Sequence, residues 1–233
     1  GIHLFQSRQS ALMRTAKPLH QFFAVGAIFA LSGCTPNDDA LRELNTISIG
    51  ADIDNRAILP LPAPPVDTDG SIALGMKLFH DPRLSSDQSI SCASCHHIDQ
   101  GGEDGLTVSL GVDGKAGKLN APTVLNSGFN LSQFWDGRAN TLEEQIDGPI
   151  HADVEMASNW PLIITRLKED PNYVKAFSEV YQGSITQDTI KNAIANFERS
   201  LVTPDSPFDL YLKGDEKALT EEQLLGYQRF QEL

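Results

Sequence analysis

Apolar residues recur at steps of three and four through most of the second half of this 233-residue chain, the spacing that lines one face of a helix. Leu74 and Leu78 stand four apart before Asp81-Pro82, which ends the segment. Thr141-Leu142-Glu143-Glu144 reads as a capping box, and Gly148-Pro149 predicts the end of that short helix. Pro161 opens another, carrying Leu162, Ile163 and Leu167. Tyr173, Phe177 and Tyr181 follow at steps of four and are closed by Gly183. Thr186 caps the longest helix, whose face is Ile190, Ile194, Phe197 and Leu201, with Ile185 placed to staple onto Ile190. Thr220-Glu221-Glu222-Gln223 supplies a box for a last helix. No alternating strand pattern competes, so the expected class is mainly α. Residues 97–133 are rich in Gly, Asn and Ser, and such a long irregular stretch is a functional loop or disordered.

The beginning of the chain follows a different logic. Met13 to Pro18 is a short basic start, and Phe22 to Leu31 is an apolar run too short to span a bilayer. Leu31-Ser32-Gly33-Cys34 follows. The pattern is that of a secretory signal, and its end resembles the bacterial lipoprotein box, in which the cysteine is lipidated. The alternative is an ordinary cleaved signal with an incidental cysteine. Either way the chain is exported and the expected location is the periplasm, and the lipoprotein reading makes Cys34 the lipid anchor to the membrane. Residues 34–70 turn polar and then Pro-rich, which predicts a tether. The expected organisation is therefore signal 1–33, tether 34–70, a main helical domain 71–203 and the start of a second domain at 204–233.

Charge narrows the partners. The chain carries 18 basic and 31 acidic residues, for a formal charge of −13. Residues 1–33 contain Arg8, Arg14 and Lys17 and no acid, so their removal takes the charge to −16. Such acidity argues against nucleic acid, whose phosphates need Lys and Arg. It suits the steering of a basic partner, and equally it keeps an exported protein in solution.

Cys92-Ala93-Ser94-Cys95-His96 carries the candidate chemistry. C-x-x-C-H is the attachment pattern of c-type haem: two thiols reach one haem edge, and the adjacent imidazole binds the iron. The rivals are a zinc site and a redox dithiol. A structural zinc site wants four protein ligands, and the third cysteine, Cys34, is far upstream. A thioredoxin-like dithiol belongs in a βαβ pattern, which is absent. Leu74-Gly75-Met76-Lys77-Leu78-Phe79, ahead of this motif, is echoed by Leu225-Gly226-Tyr227-Gln228-Arg229-Phe230 near the end. The echo leads to the expectation of a second C-x-x-C-H beyond residue 233, in a two-haem protein.

An ordered set of motifs makes the reading specific. Phe79-His80-Asp81-Pro82-Arg83-Leu84-Ser85 precedes the haem motif. Asn120-Ala121-Pro122-Thr123, Phe134-Trp135-Asp136-Gly137-Arg138, Val154-Glu155-Met156, Phe197-Glu198-Arg199-Ser200 and Ser206-Pro207-Phe208-Asp209 come after it. From about Ser71 onward the chain resembles the bacterial di-haem cytochrome c peroxidase family, which includes the enzymes that mature tryptophan tryptophylquinone. The resemblance implies two cytochrome c-like helical domains, each with a haem c, and calcium between them. It implies that a small cytochrome c or cupredoxin delivers electrons to reduce hydrogen peroxide to water, and a homodimer is among the expected assemblies.

Residue by residue, the resemblance makes Cys92 and Cys95 the attachment thiols and His96 the proximal iron ligand. Glu155 matches the distal acid–base residue, Gln145 the distal amide, Trp135 the tryptophan between the haems, and Asn120 a residue of the calcium site. The bland readings are a surface acid, a solvated helix residue and an ordinary core tryptophan. Many members carry a histidine that caps the oxidised iron in a Ser-x-Gly-His context. Here the text is Ser109-Leu110-Gly111-Val112, and valine cannot bind iron. The expected iron is therefore open or water-ligated, with His151 as a substitute ligand to consider. Within the same fold, an oxidase acting on a partner protein is an alternative. A simple electron carrier is another, though a carrier would need neither Glu155 nor Gln145.

Overall fold

The structure, a computed structural model, describes residues 58–232. Cys34, the signal region 1–33 and the tether as far as residue 57 lie outside the described residues. Among the described residues there are seven α-helices: α1 (Ser71–Phe79), α2 (Leu142–His151), α3 (Trp160–Lys168), α4 (Pro171–Tyr181), α5 (Gln187–Ser200), α6 (Pro207–Leu212) and α7 (Glu221–Gln231). Between α1 and α2 the chain runs through three-residue 3₁₀ turns and isolated bridges, the expected irregular stretch. The class is mainly α. Among the described residues no helix is long and apolar enough to cross a membrane.

The core lies where α1 crosses α5. Leu74, Leu78 and Phe79 pack with Ile190, Ala193, Ile194 and Phe197, all buried. A Cβ at position 75 would stand 1.9 Å from the Ala193 carbonyl, so only glycine allows the helices to come this close. Gly226, its counterpart in the echo, has nothing within 4 Å, and α7 buries no residue.

Two capping details depart from expectation. Thr141 accepts from the Glu144 amide, but the Glu144 carboxylate turns to the Asn140 amide at 2.8 Å, so the reciprocal half of the box is shifted by one residue. Helix α2 also runs through Gly148-Pro149 to His151. Gly148 is there for packing: a Cβ would stand 2.5 Å from Cζ of Phe134, whose ring lies on the helix. Pro149 removes one helical hydrogen bond, to the Gln145 carbonyl, and a last turn survives that loss.

A polar network fixes the turn after α1. Tyr173 donates to Asp81 at 2.6 Å, and Arg83 pairs with both Asp81 and Asp170. Burial works against the charge on Asp81, yet Arg83 and Tyr173 hold its carboxyl below the usual range. The last part of the Pro-rich segment is tied down as well, with the Leu61 amide donating to Asp209 at 2.8 Å.

Candidate functional site

The Cys92–Ser94 3₁₀ turn puts both thiols and His96 on one short loop, closed by the reciprocal Ser91–Ser94 cap. Cys92 and Cys95 are free, and Cys92 and Ala93 rest against the core. Nδ1 of His96 lies 3.2 Å from the Gly102 carbonyl. A carbonyl only accepts, so Nδ1 carries the proton and Nε2 keeps its lone pair for a metal. Desolvation lowers the His96 pKa, which favours the neutral imidazole a metal requires. The Phe79 ring, 6.4 Å from the imidazole, forms the wall behind it.

Both thiols are held in the protonated form. Burial, then the charge of Glu198, pushes Cys92 up to about 12. Burial, then Asp104, raises Cys95, and Glu155 adds to it. Zinc wants thiolates, and burial opposes forming them here. Among the described residues no cluster of three His, Cys, Asp or Glu is arranged to hold a metal ion. The donor set fits covalent haem instead. Two neutral thiols and one oriented imidazole are available. Ser109 Oγ is buried beside Cys95 and works against the rise of that thiol's pKa.

Of the distal candidates, Glu155 is the one whose charge acts on the attachment loop, at Cys95. Gly111 meets the 154–155 backbone so closely that a Cβ would lie 2.1 Å from the Val154 carbonyl. The Val112 amide donates to the Glu155 carbonyl at 2.9 Å. This contact brings the loop carrying Ser109 against the one carrying Glu155. The Glu155 side chain is open to solvent but overhung by protein, and desolvation raises its pKa while Arg138 opposes the rise. Gln145 is half-buried on α2, one turn before the glycine that receives Phe134. Trp135 is 63% exposed, and its indole donates to the Asn120 carbonyl at 3.2 Å. Asn120 itself is exposed. His151 is tied elsewhere, Nδ1 to the Ser158 carbonyl and its ring edge-on to Trp160. Val112 is buried.

Three residues that act on these groups have no role assigned from the sequence. Arg138 lies over the Phe134 ring at 3.4 Å and acts on Glu155. Ser109 matches the first position of the Ser-x-Gly-His context, from which Val112 departs. Glu198 is 6% exposed, with Oε2 unpartnered, and its pKa is pushed up to about 8 by burial. A signal for Glu198 existed: it follows Ile194 by four and Ile190 by eight, on the apolar face of α5.

A helical domain with a C-x-x-C-H turn and an oriented histidine defines a c-type haem-binding protein. Residues 69–217 match the di-haem cytochrome c peroxidase family. The chain is 51% identical over 180 residues to cytochrome c peroxidase Ccp of Escherichia coli, covering 76% of this chain and 38% of that protein. It is 48% identical over 160 residues to the cytochrome c551 peroxidase of Pseudomonas aeruginosa, covering 67% of this chain and 46% of that protein. Among solved structures, a MauG-like protein associated with microbial copper homeostasis superposes with a TM-score of 0.64 at 32% identity, over 76% of this chain and 54% of that one. The chain therefore belongs to the di-haem cytochrome c peroxidase family. It spans about half the length of these relatives or less.

Proposed function

We propose that this chain provides the peroxide-reducing haem domain of a periplasmic cytochrome c peroxidase, with Glu155 as its proton-transferring group. Haem c, held by Cys92, Cys95 and His96, supplies the iron at which peroxide is reduced and the route by which electrons reach it. The protein residues do the rest. His96 is fixed in one tautomer by Gly102 and packed against Phe79. Glu155, whose pKa desolvation raises, shifts a proton between the two peroxide oxygens. The Gln145 amide orients peroxide without adding charge. Trp135, exposed beside Asn120, stands where electrons from a second haem would pass, and Asn120 contributes to a calcium site there.

The observation that carries the reading is the anchoring of the Glu155 turn against the loop that borders the haem motif. Glu155→Gln keeps the shape and removes the proton. In the haem-loaded protein it should slow peroxide turnover by roughly 10²–10⁴-fold while covalent haem content stays at the native level. Turnover at the native rate would refute the assignment.

The proposal extends to partners and place. Electrons come from a small cytochrome c or cupredoxin steered by the acidic surface, and a lipid on Cys34 anchors the protein to the membrane. A second reading is oxidation of a partner protein. It is favoured by Val112, where a capping histidine would otherwise gate the iron, and by 39% identity to the methylamine utilization protein MauG of Methylophilus methylotrophus.

A further inference from the structure

Glu155 sits on an irregular turn rather than a helix. The turn closes through the Glu155 and Ala157 amides, both bonded to the Ala152 carbonyl, and Ala157 has a positive φ of 48°. Such a turn cannot hold a side chain precisely by itself, so the contacts that reach it from outside matter. Three backbone bonds do so around Glu155, one of them from the Met156 amide to the Pro149 carbonyl of α2 at 3.1 Å. The Glu155 carbonyl accepts from the Val112 amide, and the next carbonyl, of buried Met156, accepts from the Ser86 amide at 2.9 Å.

The Ser86 turn is itself clamped by one side chain. Arg166, half-buried on α3, donates through Nη1 to the Arg83 carbonyl at 2.9 Å and the Ser85 carbonyl at 2.6 Å. Through Nη2 it donates to the Ser86 carbonyl at 2.7 Å. Three carbonyls within four residues are thus gathered by one planar guanidinium, whose rigid fork suits this task better than a lysine ammonium. The same turn reaches the haem side, where the Ile90 amide, two residues before Cys92, donates to Ser85 Oγ at 3.3 Å.

We propose that Arg166 is a positioning residue for Glu155. It fixes the 83–86 turn, which through Ser86 and Met156 sets where the Glu155 carboxyl stands relative to the haem motif. The inference rests on the reading of Glu155 as the proton-transferring group and adds the residue that holds it in place. A carboxyl transferring a proton must stay within hydrogen-bond reach, and a displacement of about 1 Å costs about 10²-fold in rate.

The test compares Arg166→Met and Arg166→Lys, each alone and combined with Glu155→Gln, in the haem-loaded protein. Arg166→Met should lower the saturating rate of peroxide turnover by about 10- to 100-fold, with Arg166→Lys in between. Covalent haem content should not change. The Ser86 amide should exchange its hydrogen roughly tenfold faster while amides of α1 and α5 keep their protection. Added to Glu155→Gln, Arg166→Met should cost no further rate, because the group it positions is already gone. A native rate in Arg166→Met beside a slow Glu155→Gln would overturn the Arg166 proposal and leave Glu155 standing. An equal additional loss in the Glu155→Gln background would also overturn it, since Arg166 would then act on something else. A native rate in Glu155→Gln would remove the reading of Glu155 itself and this one with it. Should Arg166→Met fail to fold, Arg166→Lys decides by the same comparisons.

Discussion

Replacing Glu198 by Gln should flatten the pH dependence of this protein's stability between about pH 5 and pH 8. Glu198 is buried on α5 with Oε2 unpartnered. Its neighbour Arg199 lowers its pKa, but that guanidinium is already committed to Glu143 at 2.7 Å, and Glu143 adds negative charge nearby. Desolvation therefore prevails, and the pKa rises from 4.5 to about 8. A folded-state pKa above the unfolded one means that the folded form holds the proton more tightly. The stability this contributes is complete below the unfolded pKa and is lost as pH climbs toward the folded one. At about 1.36 kcal/mol per pH unit, the loss reaches about 3 kcal/mol at pH 7 as an upper estimate.

Gln has nearly the shape of the protonated acid and does not titrate. Its amide needs a partner that the site does not provide, but that cost is the same at every pH. The slope, not the absolute stability, is therefore the measurement. Urea denaturation of both proteins at several values between about pH 5 and pH 8 should give curves that diverge upward in pH. In thermal scans the divergence at pH 7 amounts to about 6–12 °C, at about 2–4 °C per kcal/mol for a domain of this size. Parallel curves across that range would show that Glu198 is ionised in the folded protein, and the reasoning from burial would fail.

Tyr173→Phe deletes the 2.6 Å bond to buried Asp81. With a charged acceptor it should cost about 1.5–3 kcal/mol, read as a lower urea midpoint at unchanged slope. Gly111→Ala forces a Cβ to within 2.1 Å of the Val154 carbonyl and 2.6 Å of Glu155 Cα. It should cost at least about 1–3 kcal/mol in thermal unfolding and reduce peroxide turnover through the displaced carboxyl. Cys92→Ala combined with Cys95→Ala should yield protein from which acid–acetone removes all haem, and haem that stays attached would sink the assignment of the two thiols.

Much of this protein was legible along the chain, and the reason is that its signals are local. C-x-x-C-H points to haem by its spacing, and the distant third cysteine and the lack of a βαβ pattern weigh against its rivals. Thr186 and Thr220 cap α5 and α7 because a cap is a contact between residues three apart. The apolar face of α5 shows as a period, and the period correctly put Ile190, Ile194 and Phe197 inside. The same locality explains the errors. Gly148-Pro149 has the grammar of a helix stop, but Phe134, from another loop, uses the glycine as a seat and the helix continues. Glu144 had two nearby amides to choose from, and the fold gave it Asn140. Gly75 and Gly111 look like any glycine until a carbonyl from a distant segment arrives beside each. The depth at which Glu198 lies and the clamp of Arg166 on carbonyls some eighty residues away exist only once the helices have packed. Sequence determined which groups could do chemistry and which segments would be helical, since both follow from bonded geometry and near-neighbour spacing. Only tertiary structure decided which carboxyl is buried, which carbonyls share one cation and what stands over the haem motif, because desolvation and hydrogen bonding depend on atoms that sequence separates and packing brings together.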